Sequence, residues 1–300
     1  MSDIIALVWD FDKTLVDGYM QDPIFREYGI DSREFWAENN REVARIEQSG
    51  LWVNRDTFYL NRFIRKIHDG TLKGLNNARL KELGDQILFY PGVEVLFPEI
   101  QRLVSDCEKY KSYDIRLEHY IVSTGFRQMI EGCKIRKYVK KAWGCELLED
   151  ENGVPCEIGY TIDNTSKTRA LFEISKGAGI DDRSNIDVNS KIPEEERRVH
   201  FINMVYIADG PSDVPAFSVI NKNGGATFAV YPKGDANALK QVDRLRAEGR
   251  VQMYAAADYT EGETARLWLE NTVRAMADRI VEEKQNRLKR FTIGTPQHLS

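Results

Sequence analysis

The segment LVWDFDKTLVDG, residues 7–18, constrains the fold of this chain more than any other part of the sequence. Four apolar residues at positions 6–9 run directly into Asp10 and Asp12, which stand two positions apart. Residues two apart in a β-strand point to the same side, so the two carboxylates are expected together at the end of a strand. Like charges that close repel each other unless something positive lies between them. The segment therefore predicts a strand that ends in a charged site.

Composition limits the classes of function. The chain has 300 residues, 42% of them hydrophobic, which suits one large domain with an insertion or two domains. A formal net charge of -5, with both signs spread along the chain, disfavours nucleic acids and anionic membranes as partners. The apolar run at 4–9 is too short for a signal peptide or a membrane span, so we expect a soluble cytoplasmic protein. The four cysteines show no CxxC spacing, which is typical of reduced thiols and disfavours a zinc site.

Helical patterns without any strand pattern fill the segment from 18 to 90. Ser32 is predicted to cap a helix that ends at Ser49-Gly50, and Asn54 or Asp56 to cap a second helix that ends at Gly70. A third short helix is expected around residues 78–87. We therefore predict that residues 18–90 form a small, all-helical cap domain inserted into a core formed by residues 1–17 and 91–300.

Strands and helices alternate after Pro91. Strands are predicted at 117–125, 202–210, 226–232 and 251–259, and a hairpin that turns at Asn152-Gly153. Helices are predicted at 93–109, 128–141, within 165–179, and at 214–221, 235–248 and 263–290. The charged run at 181–198 is expected to be a loop or a frayed helix with a solvated face. This alternation predicts an α/β fold, a Rossmann-like parallel sheet with helices on both faces, in addition to the helical cap.

Polar residues follow the apolar strands at the places where open α/β sheets bind their ligands. They are Asp10 and Asp12, the segment 123–125, Lys167 at a helix start, and the segment 209–213. Carboxylates from two strand ends form an oxygen-rich pocket suited to magnesium, which prefers a few carboxylates and substrate phosphate oxygens. One carboxylate can attack phosphorus while its neighbour handles protons, and a serine hydroxyl and a lysine ammonium can hold the remaining oxygens.

The ordered set DFDKT (10–14), VSTG (122–125), Lys167 and DGPSD (209–213) resembles the four motifs of the haloacid dehalogenase superfamily. The helical insertion after the first motif is similar to the cap of its phosphoserine-phosphatase-like group. The resemblance covers about residues 4–231. It implies a magnesium-dependent phosphatase that hydrolyses a small phosphorylated metabolite, a phosphomonoester, through an aspartyl-phosphate. Asp12 favours phosphate chemistry over dehalogenation, because carbon–halide cleavage in this superfamily does not use an acid at that position.

The resemblance also implies a role for each matching residue. Asp10 would be the nucleophile, and Asp12 the general acid that protonates the leaving oxygen and then activates water. Thr14 would support the loop, and Ser123 and Lys167 would hold the phosphoryl oxygens. Magnesium would be bound by the Asp10 carboxylate, the Asp12 carbonyl and Asp209, with Asp213 close by. The complete set of candidate substrate-binding residues is Thr14, Ser123, Thr124, Gly125, Arg127 and Lys167.

Several alternatives stay open at this point. Each motif alone is a weak signal, and only their joint order supports the catalytic interpretation. A phosphotransferase with the same intermediate and a catalytically silent binding protein with the same fold are both compatible with the sequence. Arg127 is a candidate partner for a substrate carboxylate or a second phosphate. Lys176 and Lys191 are alternatives to Lys167, and candidate cap contacts to the leaving group are Tyr19, Arg41, Arg45, Trp52, Arg55, Arg62 and Arg65.

Overall fold

A seven-stranded sheet forms the centre of the computed structural model, which describes residues 3–181 and 185–292. Its strands are β1 (Ile4–Trp9), β2 (Arg116–Phe126), β3 (Val139–Glu149), β4 (Pro155–Tyr160), β5 (Met204–Ala208), β6 (Ala226–Tyr231) and β7 (Met253–Ala256). They are ordered β4-β3-β2-β1-β5-β6-β7. Neighbouring strands are parallel except β3 and β4, which form an antiparallel hairpin. The predicted parallel sheet is confirmed, and the central position of β1 brings Asp10 to the middle of its carboxyl edge.

Helices connect the strands and cover the sheet. They are α1 (Asp22–Tyr28), α2 (Ser32–Gln48), α3 (Tyr59–His68), α4 (Asn77–Gly84), α5 (Val93–Ser105), α6 (Glu108–Lys111), α7 (Arg127–Gly132), α8 (Lys167–Lys176), α9 (Val214–Lys222), α10 (Ala236–Ala247) and α11 (Thr264–Thr292). Alternate residues of β1 enter two different hydrophobic cores. Leu7 and Trp9 pack with α5 and α11, whereas Ala6 and Val8 pack with α8 and α9. Burial on both faces explains why β1 is apolar throughout.

The segment between β1 and α5 contains the four helices α1 to α4 and, in its described residues, no strand. Helix α1 was not predicted. Ser32 is not the cap of α2, because the side chain of Asp31 accepts the hydrogen bond from the Glu34 amide. Neither Asn54 nor Asp56 caps α3, which begins only at Tyr59 after a turn. The division into a core and a cap at residues 17/18 and 90/91 stays a prediction.

The predicted helix at 128–141 is wrong in its second half. Helix α7 ends at Gly132, and β3 already begins at Val139 and pairs with β2 through Val139 and Lys141. Gly132 lies against the backbone of α4, and α7 ends at this crossing. The predicted helix at 93–109 is likewise divided, into α5 and the single turn α6.

The charged run at 181–198 is only partly solvated. Arg198 is 8% exposed, and its guanidinium forms ion pairs with Glu118 and Asp181 and donates to the Tyr120 hydroxyl. The expected solvated face is therefore wrong for Arg198, whose charge is compensated inside the protein. Positions 182–184 of this run lie outside the described residues. Across the described ranges, none of the helices has the length and apolar character needed to cross a bilayer.

Candidate active site

The turn after β1 places Asp10 and Asp12 at the carboxyl edge of the sheet. The Asp10 amide donates to the Ile207 carbonyl of β5 at 2.8 Å, which continues the strand pairing for one more residue. The chain then reverses at Lys13, which adopts a left-handed conformation with φ of 56°. The Asp12 carboxylate accepts a hydrogen bond from the Met20 amide at 2.7 Å, so the returning chain fixes this side chain. Left-handed non-glycine residues are uncommon and concentrate at functional turns.

Lys167 supplies a positive charge to the carboxylates of Asp10 and Asp213. An Asp163 side chain that accepts from the amides of Thr165 and Ser166 organises the turn before α8. From the first position of that helix, the Lys167 ammonium donates to Asp10 Oδ1 at 2.6 Å and to Asp213 Oδ1 at 2.7 Å. Burial opposes the charge of Lys167, but the two carboxylates outweigh that effect and hold its pKa above the ordinary value. Lys167 is thus a fixed cation beside Asp10.

Asp213 is bound entirely by protein donors. Its Oδ1 accepts from Lys167 and, at 2.6 Å, from the Tyr206 hydroxyl, and its Oδ2 accepts from the Ser212 hydroxyl at 2.9 Å. The side chain is fully buried. Asp213 therefore positions Lys167, and its expected place close to a magnesium ion stays a prediction.

Burial separates the proton affinities of the neighbouring aspartates. It raises the pKa of Asp12 to about 8, and the charge of Asp10 adds to this effect. It raises the pKa of Asp10 only to about 6, because Lys167 opposes it. Lys167 therefore favours the ionised form of Asp10, whereas burial and the charge of Asp10 favour the protonated form of Asp12. A carboxylate beside a carboxylic acid is the pairing that nucleophilic attack with general-acid assistance requires.

The acidic cluster fits a magnesium ion by its donor chemistry. One carboxylate oxygen each from Asp10, Asp209 and Asp213 lie within 4.8 Å of one another. Among the described residues, none donates a hydrogen bond to the Asp209 carboxylate. Burial raises the pKa of this carboxyl to about 7, and the charge of Asp10 adds to the effect. Oxygen ligands from a few carboxylates are those that magnesium prefers. Asp10 and Asp209 are the residues suited to hold it, and the role of the Asp12 carbonyl stays a prediction.

A cavity of about 370 Å³ lies between this carboxyl edge and the helical insertion. Its floor contains Asp10, Asp12, Lys13, Thr124, Lys167, Asp209 and Ser212, and its wall contains Tyr19, Gln21, Trp36, Asn39, Asn40, Arg55, Asp56, Tyr59 and Asn164. The predicted residues Asp10, Asp12, Thr124, Lys167 and Asp209 are therefore brought together around one space. Thr14 lies behind it, where its hydroxyl donates to Asp10 Oδ2 at 3.3 Å.

The structure does not bring every predicted substrate-binding residue to the cavity. Ser123 is buried beside Thr124, and its hydroxyl accepts from the Gly125 amide at 3.0 Å. Gly125 packs against Met20, where a Cβ atom would come within 2.4 Å of the methionine side chain. Arg127 points elsewhere, because Glu146 of β3 and Glu131 of α7 bind its guanidinium. The interpretation of Arg127 as a substrate ligand is therefore corrected.

The structure also shows which candidate cap contacts and which of the alternative lysines lie at the cavity. Tyr19 and Arg55 line the cavity, whereas Trp52 is 98% exposed. Arg62 pairs with Glu38, and Arg65 pairs with Glu42. Lys176 donates to the carbonyls of Val188 and Ser190, and Lys191 is exposed, so Lys167 is the lysine that reaches the site.

Several wall residues were missed by the sequence analysis, and one of them carried a readable signal. Phe35, Asn39 and Val43 form the buried stripe of α2 at four-residue spacing, so a polar amide interrupts an otherwise apolar face. Such a buried polar side chain requires a partner, which marks it as a candidate for ligand binding. Gln21 and Tyr59 offered no comparable pattern.

Comparisons with known proteins give one strong relative and several fold neighbours. No family profile matches the chain. It is 38% identical over 285 residues to an uncharacterized protein of Borreliella burgdorferi, covering 89% of this chain and 95% of that protein. A haloacid dehalogenase family hydrolase from Salmonella enterica serovar Typhi superposes with a TM-score of 0.50 at 18% identity, covering 85% of this chain and 67% of the other. A phosphoserine phosphatase solved as a phospho-aspartyl intermediate analogue has a TM-score of 0.48 at 17% identity, covering 89% and 98%.

Proposed function

We propose that this chain, which belongs to one family with the Borreliella burgdorferi protein and has the fold of the haloacid dehalogenase family hydrolases, is a magnesium-dependent phosphatase. The observation that carries the proposal is the setting of Asp10. This carboxylate lies on the floor of the cavity, bound by Lys167 and Thr14, with the Asp12 carboxyl two residues away. These groups match the roles of a nucleophile, its fixed counter-charge and an acid.

The proposed reaction has two steps. A carboxylate oxygen of Asp10 attacks the phosphorus atom, the bond from phosphorus to the leaving oxygen breaks, and Asp12 gives its proton to that oxygen. Water then loses a proton to Asp12 and attacks the aspartyl-phosphate, and the bond from Asp10 to phosphorus breaks. The net change converts a phosphomonoester and water into an alcohol and inorganic phosphate. Asp12 ends each cycle protonated, in keeping with its raised pKa.

Lys167 and the acidic cluster complete the electrostatics of the proposed site. The Lys167 ammonium keeps Asp10 ionised before attack and offsets phosphoryl charge afterwards. A magnesium ion held by Asp10 and Asp209 would supply charge neutralisation to the phosphoryl oxygens. The volume of about 370 Å³ is near the lower end of ligand pockets, roughly 300–1,000 Å³, and favours a small phosphorylated metabolite as substrate.

The test measures release of inorganic phosphate from p-nitrophenyl phosphate and from a panel of metabolites, with magnesium and with a chelator. We expect release that requires magnesium and that falls by about 1,000-fold or more in Asp10→Asn, the scale seen when a nucleophile is removed. Asp17→Asn is the matched control, because the same change occurs in the same loop at an exposed side chain outside the cavity.

Two outcomes would contradict this proposal. Wild-type activity in a folded Asp10→Asn variant would exclude Asp10 as the nucleophile. Alcohol release without matching inorganic phosphate would show that the phosphoryl group passes to an acceptor other than water, as in a phosphotransferase.

A further inference from the structure

The wall of the cavity is polar, and most of its side chains carry no charge. It combines three aromatic rings with the amides of Gln21 and Asn39 and, near the mouth, Asn40 and Asn164. The rings are contiguous, with centroids 5.8 Å apart for Tyr19 and Trp36 and 5.6 Å for Trp36 and Tyr59. Flat aromatic surfaces beside a few convergent polar groups are typical of pockets that orient a small ligand.

Three buried polar atoms of this wall have no hydrogen-bond partner among the described residues. They are Gln21 Oε1, Asn39 Oδ1 and Trp36 Nε1. Gln21 is 2% exposed and Asn39 is 3% exposed. An unsatisfied buried polar group costs about 1–3 kcal/mol, so a ligand that completes these groups gains affinity and selectivity from them. These three atoms therefore determine which hydrogen-bond donors and acceptors a bound molecule requires.

The unmet groups include both acceptors and a donor. Gln21 and Asn39 present carbonyl oxygens, which require donors, whereas the Trp36 indole N–H requires an acceptor. A hydroxyl both donates and accepts, so a single kind of uncharged group can complete all three. An ammonium group can only donate, and a carboxylate can only accept.

The charged side chains around the cavity are the second argument for an uncharged leaving group. Arg55 is bound by Glu47 through two of its nitrogens, one of them at 2.9 Å, and Lys167 is bound by Asp10 and Asp213. The Lys13 ammonium lies 4.6 Å from the centre of the Tyr19 ring. A substrate carboxylate would therefore have to displace a carboxylate partner of Arg55 or Lys167, or bind Lys13 beside the Tyr19 ring. A cationic leaving group would find Asp56 in the wall but would leave the Trp36 N–H without an acceptor.

We propose that the leaving group of the substrate is an uncharged, hydroxyl-rich group, so that the substrate class is sugar phosphates or polyol phosphates. This inference rests on the proposed phosphatase function. In it, the hydroxyl groups bind Gln21, Asn39 and Trp36, the carbon face of the molecule lies along the aromatic rings, and the phosphoryl group lies over Asp10. Gln21 and Asn39 are then the residues that select the substrate.

The first experiment compares kcat/KM of the wild-type enzyme with magnesium for aldose phosphates, glycerol phosphate, phosphoserine, phosphoethanolamine and p-nitrophenyl phosphate. We expect the best sugar or polyol phosphate to exceed phosphoserine and phosphoethanolamine by about tenfold or more. Deoxy analogues of that substrate should lose about 10-fold to 100-fold in kcat/KM where the missing hydroxyl would have paired with a buried group. These measurements use the unaltered enzyme, so the folding of variants does not affect them.

The second experiment uses Asn39→Ala and Gln21→Ala. Each variant should lose kcat/KM for the preferred sugar or polyol phosphate about tenfold more than for p-nitrophenyl phosphate, whose leaving group carries no hydroxyl besides the reacting oxygen. The excess loss for the hydroxylated substrate is a readout that a general loss of packing would not produce. Asn61→Ala is the matched control, because it removes an exposed amide of α3 outside the cavity.

The outcomes separate this inference from the function on which it rests. Asp10-dependent hydrolysis that prefers phosphoserine would overturn the hydroxyl-rich assignment and leave the phosphatase function standing. A preference for phosphoethanolamine would do the same and would assign Asp56 as the counter-charge. Equal losses for both substrates in Asn39→Ala and Gln21→Ala would also overturn it. No release from any compound by the folded wild-type enzyme would overturn the phosphatase function together with this inference.

Discussion

Lys167 joins stability and chemistry in one side chain. Its side chain is 2% exposed and its ammonium lies between the carboxylates of Asp10 and Asp213, so each carboxylate is buried beside the same positive charge. A buried charge that loses its partner costs far more free energy than a surface ion pair can contribute. The residue that holds the nucleophile ionised is thus also one that the folded state cannot easily lose.

Lys167→Met tests this double role. We expect the free energy of unfolding to fall by roughly 3–5 kcal/mol, because two buried carboxylates lose their counter-charge. Phosphate release should fall by at least about 100-fold, since the fixed cation beside Asp10 is absent. Urea denaturation and steady-state phosphate release measure the two effects.

A second substitution separates the two effects of Lys167. Adding Asp213→Asn to Lys167→Met removes one of the orphaned charges, so stability should recover in part while activity stays low. Lys191→Met makes the same change at an exposed side chain and should alter neither quantity. Full activity in Lys167→Met would show that Asp10 does not depend on this ammonium.

Residue-level prediction succeeded where a side chain follows an element that the sequence pattern defines. Asp10 and Asp209 follow apolar strands, and Lys167 opens a helix, so the topology alone brought them to one edge. Arg127 also follows a strand, but Glu146 binds it from β3, and the apolar pattern of the sequence does not report this contact between side chains 19 positions apart. Gln21 lies in a segment with no predicted element, so its place in the cavity wall required the fold.

The contact of β1, β2 and α5 contains a neutral histidine. His119 of β2 accepts a hydrogen bond at Nδ1 from the Trp9 indole at 3.1 Å, so its Nε2 carries the proton and donates to the Phe97 carbonyl at 3.1 Å. The imidazole also stacks on the Phe97 ring at 4.2 Å. Burial lowers the pKa of His119 to about 3. A second proton would have to enter at Nδ1, against the Trp9 N–H.

This histidine should make the fold sensitive to moderate acid. The pKa of an unfolded histidine is about 6.5, so between pH 6.5 and about 3 the unfolded state binds a proton that the folded state excludes. Stability is therefore lost as the pH falls below 6.5, by about 2 kcal/mol at pH 5 from this group. In His119→Gln, the difference in free energy of unfolding between pH 7 and pH 5 should shrink by about that amount.

Urea denaturation at the two pH values provides the measurement. His68→Gln is the matched control, because His68 lies on α3 away from this contact and a glutamine amide can keep its hydrogen bond to the Pro155 carbonyl. It should keep the pH dependence of the wild type. An unchanged pH dependence in a folded His119→Gln variant would show that other groups cause the acid sensitivity.

At the scale of elements, apolar periodicity identified most strands and helices, and its failures have a common cause. The apolar pattern from Gln128 to Lys141 predicts a helix, but tertiary contacts determine the structure of this segment. Helix α7 ends where Gly132 crosses α4, and the remainder pairs with β2. The short helix α1 begins with Asp22-Pro23 and has no capping side chain, so it offered little local signal. Local patterns cannot report a crossing between segments about 50 residues apart.

At the scale of the whole molecule, the shape of the cavity depends on how the helical insertion packs against the sheet. Helices α4 and α7 cross at two glycines. A Cβ atom on Gly132 would lie 1.6 Å from the Lys81 carbonyl oxygen, and one on Gly84 would lie 2.2 Å from the Met129 carbonyl oxygen. Above this crossing, the rings of Phe63 and Phe126 meet at 5.0 Å between the insertion and β2. The insertion supplies most of the cavity wall, so this backbone contact also sets the shape of the cavity.

Gly132→Ala should therefore change both stability and substrate binding. The added methyl group meets backbone atoms that cannot rotate away, so α4 and α7 have to separate, at a cost of about 1–3 kcal/mol in free energy of unfolding. As the wall moves away from the floor, KM for the preferred phosphomonoester should rise several-fold, by more than kcat falls, because Asp10 and Lys167 stay in place.

Gly159→Ala on β4 is the matched control, since its methyl group would meet only the half-exposed side chain of Leu148. Urea denaturation and steady-state kinetics of both variants decide the point. Wild-type stability and KM in Gly132→Ala would mean that the crossing tolerates expansion and that other contacts hold the insertion over the site.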